Sequence, residues 1–333
     1  MSQNSQVGGK TVGAISSSEF LRAYRTGIVA GANASYSTIP KKVGKSYATS
    51  KDLLEAQNQR GVLEDLSSLV ITDSVCTVYI PGQYKPLEFV AANLITSIPP
   101  GEGSISYNNT GNLYVTNSTN NVYSVGRTPG SVATPLTTIG LLSIAYGIMQ
   151  SQIDSAVYIV NLGSGSILKN AGVGVSYLVN PSASLVGMQT IAQDYLRGNF
   201  YVTKASGLQR VTPTGTVTPF GGTTIYTGTT YATNDNLYGT TSTGLHQINI
   251  TTGVSSQLYL NTNLTGGIIQ ANDGYLYVTS TQYGGSVIQV NLTGSATPFA
   301  VGLATIPQSI TQGSEEYLYV SCANGNLYQI VVA

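Results

Sequence analysis

From about residue 104 onward, apolar and polar positions alternate over short runs, and the runs end in Ser, Thr, Asn, Asp or Gly. Such alternation predicts short strands bounded by turns. One run returns six times with a tyrosine near its centre: Leu113-Tyr114-Val115-Thr116, Val157-Tyr158-Ile159-Val160, Phe200-Tyr201-Val202-Thr203, Leu237-Tyr238-Gly239-Thr240, Leu276-Tyr277-Val278-Thr279 and Leu318-Tyr319-Val320-Ser321. The steps between these tyrosines are 44, 43, 37, 39 and 42 residues. A period near forty with several strands per copy predicts a β-propeller. Within a copy, a short strand a ends in Asn, Asp or Gly, and the tyrosine strand b follows. A third strand c comes next, as at Leu245-His246-Gln247-Ile248-Asn249-Ile250, and a strand d often opens on Thr-Pro, as at Thr297-Pro298-Phe299-Ala300-Val301.

The last copy shows a, b and c but no d before Ala333. A sheet edge left open would expose unpaired backbone donors and acceptors. Pro86-Leu87-Glu88-Phe89-Val90-Ala91 reads like Pro298-Phe299-Ala300-Val301, so residues 86–92 are expected to supply the missing strand. The propeller then spans 86–333, about 41 residues per blade for six four-stranded blades. The alternative is seven blades, with Leu69–Thr72 and Val75–Ile80 as a degenerate hairpin one period upstream.

The first 85 residues have a different pattern. Residues 1–16 are rich in Ser, Gln and Gly and read as a flexible tail. Residues 17–85 read as a small, mainly helical region with that hairpin, intended for anchoring. A helix is expected from Ser18, with Phe20, Leu21, Tyr24 and Ile28 on one face, and another from Thr49, capped with Asp52 reaching back. Charge changes at the same boundary: residues 1–85 hold nine Lys+Arg against six Asp+Glu, and residues 86–333 hold five against eight. Arg22, Arg25, Lys41, Lys42 and Lys45 are the expected residues by which this region docks to other proteins of an assembly.

Composition narrows the chemistry. Charged residues make up 8% of the chain, with 14 basic, 14 acidic and one histidine. No basic field suggests nucleic acid, and no long apolar run suggests a membrane span. Met1–Gln6 lacks a basic-then-apolar run, so no ordinary secretory leader is expected. Few carboxylates also mean few groups whose protonation would unfold the protein, so tolerance of acid is expected.

The expected strand-a segments are neutral: Ser104–Tyr107, Met188–Gln193, Thr230–Thr233, Gly267–Ala271 and Gln308–Gln312. No nucleophile elbow, phosphate loop or zinc-binding helix is present. His246 stands in a strand c with no carboxylate nearby in sequence, and reads as a satisfied or exposed strand histidine. These features lead to the expectation of no enzyme activity, no catalytic or metal-binding residue and no cofactor. Asp194, Asp235, Asp273, Asn108 and Asn109 fall at a–b turns, where such side chains bond to nearby backbone amides. Asn33, Asn108, Asn117, Asn249, Asn263 and Asn291 stand in Asn-x-Ser/Thr sequons and are expected glycosylation sites. Cys76 and Cys322, the two cysteines, are read either as small buried residues or as a disulfide clasping the ring.

Tyr114-Val115-Thr116-Asn117, with Leu276–Thr279 and Phe200–Thr203 close to it, resembles the Tyr-Val-Thr-Asn family of β-propeller repeats. That resemblance implies the fold and a cell-surface or surface-layer setting. The charge-poor, tryptophan-free composition also resembles virion and surface proteins of thermoacidophilic archaea. Together they lead to the expectation of a structural protein of a virion, a peripheral tail or spike component localised to the particle. Its propeller would face outward for contact with host glycan or surface protein. The alternatives are a cell-surface adhesion or envelope propeller and a lactonase-like propeller enzyme.

Overall fold

The computed structural model describes residues 5–7, 10–12, 70–71, 76–77 and 87–332, apart from residues 102, 109, 137–141, 172–174, 183–184, 304 and 315–316. The chain divides into two compact units, Met1–Lys85 and Pro86–Ala333. In the first, Ser5–Val7 pairs with Lys10–Val12, and Val70–Ile71 pairs with Cys76–Thr77. The helices expected from Ser18 and Thr49, and the docking residues Arg22, Arg25, Lys41, Lys42 and Lys45, lie outside the described residues.

The second unit is a ring of six four-stranded antiparallel sheets. Strands a to d of blade 1 are Ile105–Tyr107, Leu113–Thr116, Val122–Val125 and Thr134–Pro135. Blade 2 comprises Ala145–Gln150, Val157–Asn161, Ser166–Asn170 and Val175–Val179. In blade 3 they are Met188–Gln193, Phe200–Lys204, Gly207–Val211 and Val217–Phe220. Gly228–Tyr231, Asn236–Thr241, Gly244–Asn249 and Ser255–Leu260 form blade 4. Leu264–Gln270, Leu276–Ser280, Ser286–Val290 and Ala296–Val301 form blade 5. Blade 6 takes Pro307–Gln312, Leu318–Cys322 and Asn326–Val332, and its strand d is Phe89–Ser97.

The ring is thus closed from upstream of blade 1, but by residues 89–97 rather than 86–92. Strand c of blade 6 is seven residues long and pairs along its whole length, from Val332↔Phe89 to Asn326↔Ser97, which carries the closing strand past residue 92. The Leu87 amide donates to Asp273 Oδ2 at 3.0 Å and pins the start of that strand to blade 5.

The core lies in the seams between blades, which is why strand b is apolar on both faces. Tyr201, Tyr238, Tyr277 and Tyr319 are fully buried. Each such ring removes roughly 150–250 Å² from water, and a buried hydroxyl needs a partner. Tyr158 donates to Asp154, Tyr277 donates to Asp273, and Tyr238 accepts from Asn234 Nδ2. The a–b turns follow the expected chemistry. Asn108 Oδ1 accepts from the Thr110 and Asn112 amides, Asp194 Oδ1 from those of Leu196 and Arg197, and Asp273 Oδ1 from that of Tyr275.

Candidate functional site

Strand a is the inner edge strand of every blade, so its outer backbone groups have no ladder partner. Hydroxyls from the preceding blade satisfy several of them. Ser309 Oγ of blade 6 accepts from the Ile105 amide of blade 1, and Thr311 Oγ1 accepts from that of Tyr107. Ser106 Oγ of blade 1 accepts from the Gln150 amide of blade 2 at 3.0 Å. Thr116 Oγ1 donates to the Tyr146 carbonyl and Thr265 Oγ1 to that of Pro307. The Ser/Thr-rich axis is therefore a structural requirement: a bare sheet edge turned inward needs small hydroxyl-bearing neighbours.

All six strands a line one axial cavity of about 520 Å³. That volume falls within the roughly 300–1,000 Å³ of ligand pockets. Aligning the blades on the strand-b tyrosine resolves the wall into rings. The residues paired with it are Ser106, Met149, Ala192, Thr230, Ile269 and Thr311. One residue earlier stand Ile105, Ile148, Ile191, Thr229, Ile268 and Ile310, all buried: five isoleucines and one threonine. One residue later, at the end of each strand a, come Tyr107, Gln150, Gln193, Tyr231, Gln270 and Gln312.

The glutamines of this last ring differ. Gln270 Oε1 accepts from the Thr233 amide of blade 4, and Gln312 Oε1 from the Asn272 amide of blade 5. Gln193 Oε1 is buried without a hydrogen-bond partner, and so is Thr229 Oγ1. Both residues border the cavity, at 4% and 6% exposure. Tyr195 and Tyr231, also in the wall, meet edge to face with ring centroids 5.3 Å apart.

Among the described residues, no Asp, Glu, His, Lys, Arg or Cys lines the cavity. Charge sits just beyond the wall, across the seam between blades 3 and 4. Arg197 grips Asp235 through both guanidinium nitrogens, at 2.8 and 2.7 Å, and reaches Asp194 Oδ2 at 3.2 Å. Its guanidinium holds the Asp235 carboxyl below the usual carboxylate range. Tyr231 donates to Asp235 Oδ1 at 2.9 Å. Burial first, and that hydrogen bond second, push the Tyr231 hydroxyl well above its ordinary pKa. The described wall can therefore hold and orient an uncharged polar molecule through its amide and hydroxyl groups.

Several sequence-based site residues fall elsewhere. Among the described residues no group of three or more His, Cys, Asp or Glu is placed to hold a metal ion. Cys322 is a free thiol, buried in the blade 5–6 core and pushed up to about 12 by that burial; the side chain of Cys76 lies outside the described residues. The sequon reading is corrected at Asn108 and Asn117. Both are 1% exposed, Asn117 Nδ2 donates to the Pro99 carbonyl, and neither amide is open to a glycan in the folded protein. Asn249 and Asn263 are exposed, Asn291 is half-buried and Asn33 lies outside the described residues.

His246 is also corrected. Both its ring nitrogens are buried and neither has a partner, and burial lowers its pKa. Three features of the site were missed in the sequence: strand a of blade 2, the odd threonine at 229 and the unpartnered Gln193. Aligning all six copies on the strand-b tyrosine finds the first two; that Gln193 lacks a partner depends on the neighbouring blades and is not visible in the sequence.

No protein-family model matches the chain, and no curated protein matches it in sequence. Similar solved structures are β-propellers. A gluconolactonase from Xanthomonas campestris gives a TM-score of 0.62 at 11% identity, over 76% of this chain and 97% of that one. A streptogramin B lyase gives 0.54 at 15% identity, over 73% and 98%. A nidogen/laminin complex gives 0.54 at 16%, over 63% and 85%. At these identities the likeness shows the fold. It also corrects the expectation that the chain is not an enzyme. That expectation rested on an uncharged axis, whereas the shared architecture is that of a lactonase and a lyase. The chain is a six-bladed β-propeller.

Proposed function

We propose that the axial cavity binds an uncharged, hydroxyl-rich small molecule of the sugar or sugar-lactone class. The observation that carries this reading is a wall of Gln, Ser, Thr and Tyr side chains set between isoleucines, with no ionic group among the described residues to favour an acid or an amine. Polar groups converging in a partly apolar cleft suit ligands with many hydroxyls. The likeness to a gluconolactonase favours a cyclic ester as one such ligand, opened by water at its carbonyl to give the acid and the alcohol. Saturation-transfer NMR and titration calorimetry on the full chain test this, with methyl glucoside, glucono-1,5-lactone and gluconate as probes. Binding of the two neutral probes and not gluconate is expected, with any loss of the lactone carbonyl above the uncatalysed rate reporting turnover. Binding of gluconate alone, or of none, would overturn it.

A second proposal concerns the first unit. The charge step at residue 85 supports an assembly role for residues 1–85, through Arg22, Arg25, Lys41, Lys42 and Lys45, in a virion or surface layer. The propeller would then present its cavity outward, to a host glycan. Because residues 86–333 include the closing strand, a variant lacking residues 1–85 should still form the ring. It should lose incorporation into particles while keeping ligand binding; unchanged incorporation would sink the assembly role.

A further inference from the structure

Strand a is bulged in blades 2, 3, 5 and 6, and in blades 3 and 6 the bulge holds a glutamine. In blade 3, Met188 pairs with Lys204 and Ile191 with Val202, so Gln189 and Thr190 together oppose Thr203. In blade 6, Pro307 pairs with Cys322 and Ser309 with Ser321, so Gln308 has no residue opposite it. A bulge of this kind re-aims a side chain. The neighbours of each glutamine already fill the seams. Met188 and Ile191 pack against blade 2, and Thr190 Oγ1 meets Thr203 Oγ1 at 2.9 Å. Ser309 Oγ reaches the Ile105 amide of blade 1, and Ile310 packs against blade 5. The preceding blade meets each bulge with a glycine. A Cβ on Gly147 would lie 2.2 Å from the Gln189 carbonyl oxygen, and one on Gly267 would lie 2.8 Å from Ser309 Cα. Backbone thus lies against backbone at this level, which leaves the glutamine side chains the axial cavity that both of them line.

Both glutamines are half-buried. Neither carboxamide bonds to another described residue, and neither is sealed from solvent as the Gln193 oxygen is. Gln270 and Gln312, at the other end of strand a, are instead tied to the blade before them. The ionic side chains Asp194, Arg197 and Asp235 lie beyond that same far end. The open amides therefore stand at the uncharged end of the described wall, where Ile306, 48% exposed, adds apolar surface for a carbon skeleton. A carboxamide donates through its nitrogen and accepts through its oxygen, which matches a hydroxyl group. Blades 3 and 6 stand opposite each other in the ring, so the two amides approach the axis from two sides. We infer that Gln189 and Gln308 are the specificity-determining contacts of the axial cavity, each holding a hydroxyl group of a neutral polyol or sugar from its own wall. This rests on the ligand-binding reading of the cavity proposed above.

Calorimetry on the full chain tests it, with methyl glucoside and its monodeoxy analogues as probes. Gln189→Met and Gln308→Met keep the length of the side chain and remove the amide. Each should weaken binding of methyl glucoside about five- to ten-fold, the range for one lost hydrogen bond. For each glutamine, the analogue lacking the hydroxyl it holds should lose as much against the wild type and nothing further against the matching variant. Both ligand-free variants should melt where the wild type does, because the amides they lose bond to nothing described in the chain. A clear drop in melting temperature would assign the glutamines to the fold and overturn the inference. Wild-type binding that is equally tight in either variant would overturn the pair and leave the ligand-binding reading standing. A wild type that binds none of the probes would overturn both.

Discussion

Blades 4 and 5 share one plan and differ along one row of side chains. In blade 5 the row across strands a, b and c is Ile268, Val278 and Ile288, all buried. In blade 4 the same row is Thr229, Gly239 and His246. The other blades keep a branched residue where Gly239 stands: Val115, Ile159, Val202 and Val320. The missing side chain has been replaced from outside the sheet. A Cβ built on Gly239 would come within 2.5 Å of Tyr226 Cδ1, so the buried Tyr226 ring occupies that space. Tyr226 also meets His246 edge to face, with centroids 6.3 Å apart. Its hydroxyl, Thr229 Oγ1 and both His246 nitrogens lack partners. Blade 5 puts its side chains in the service of packing; blade 4 keeps the same seam filled while leaving polar groups unmatched.

The sharpest way to break this comparison is to exchange the filler. Removing the buried ring in Tyr226→Ala should destabilise the protein by about 3–5 kcal/mol, as for other buried aromatic truncations. Gly239→Val alone, which makes blade 4 like its neighbours, meets the Tyr226 ring and should cost about 1–3 kcal/mol by overpacking. Combined, the two changes should be less damaging than their sum, because valine enters the space the ring has left. Chemical denaturation of the four proteins measures the coupling. Strict additivity would show that Tyr226 does not substitute for the side chain at 239.

The next effect contrasts a partnered hydroxyl with an unpartnered one. Thr279 Oγ1 in blade 5 accepts from the Gly267 amide at 2.9 Å and lies 2.8 Å from Thr265 Oγ1. Thr279→Val leaves the buried Gly267 amide unmatched and should cost about 1–3 kcal/mol. The identical change at Thr229 should be neutral or slightly stabilising. Opposite signs in a urea titration support the contrast between the two blades; equal losses would mean that Thr229 has a partner within the folded chain.

This contrast also marks where the sequence stopped being legible. The ring count, the borrowed closing strand and the turn chemistry could all be read, because the strand-b tyrosine repeats and each turn signal is local. The limits of the closing strand were misjudged by a few residues, since pairing with residues 326–332 fixes them and not local propensity. The wall of the cavity is different in kind. Its rings are assembled from residues about forty apart, and strands a carry register shifts in blades 2, 3, 5 and 6 that spoil simple counting. The expected strand a of blade 4 began at Thr230, one residue too late to expose Thr229 among the isoleucines. Whether Gln193 or His246 has a partner depends on neighbouring blades, and no local pattern reports that.

Titration separates the polar row from the rest. Burial lowers the pKa of His246 below its ordinary 6.5. As pH falls through about 6.5 the unfolded chain takes up a proton that the folded one does not, so stability declines. The decline ends once the folded histidine is protonated too. A second decline belongs to Asp154. Burial raises its pKa, but hydrogen bonds from Lys169, Ser151, Tyr158 and the Ala156 amide outweigh this and hold it at about 2. Its contribution is complete above about pH 4 and disappears toward pH 2. Unfolding free energies between pH 8 and 2 should show both steps, with His246→Phe removing the upper one alone. An unchanged upper step in that variant would place the titrating group elsewhere.

The smallest effect tests whether the seam of blades 3 and 4 depends on its external ion pairs. Arg197 joins Asp194 of blade 3 to Asp235 of blade 4, and its two-nitrogen grip on Asp235 is the geometry that gives an ion pair its strength. Against that, the side chains of Arg197 and Asp235 are 42% and 40% exposed, so water and salt screen them. Asp194 is buried, but its backbone contacts at Leu196 and Arg197 remain when the guanidinium is removed. Screening should prevail: Arg197→Gln should cost about 1 kcal/mol or less at low salt, and less again above about 0.5 M. A larger loss that persists in high salt would show that the seam is clamped from its rim. Tyr226 and the apolar packing would then matter less to blade 4 than the row comparison implies.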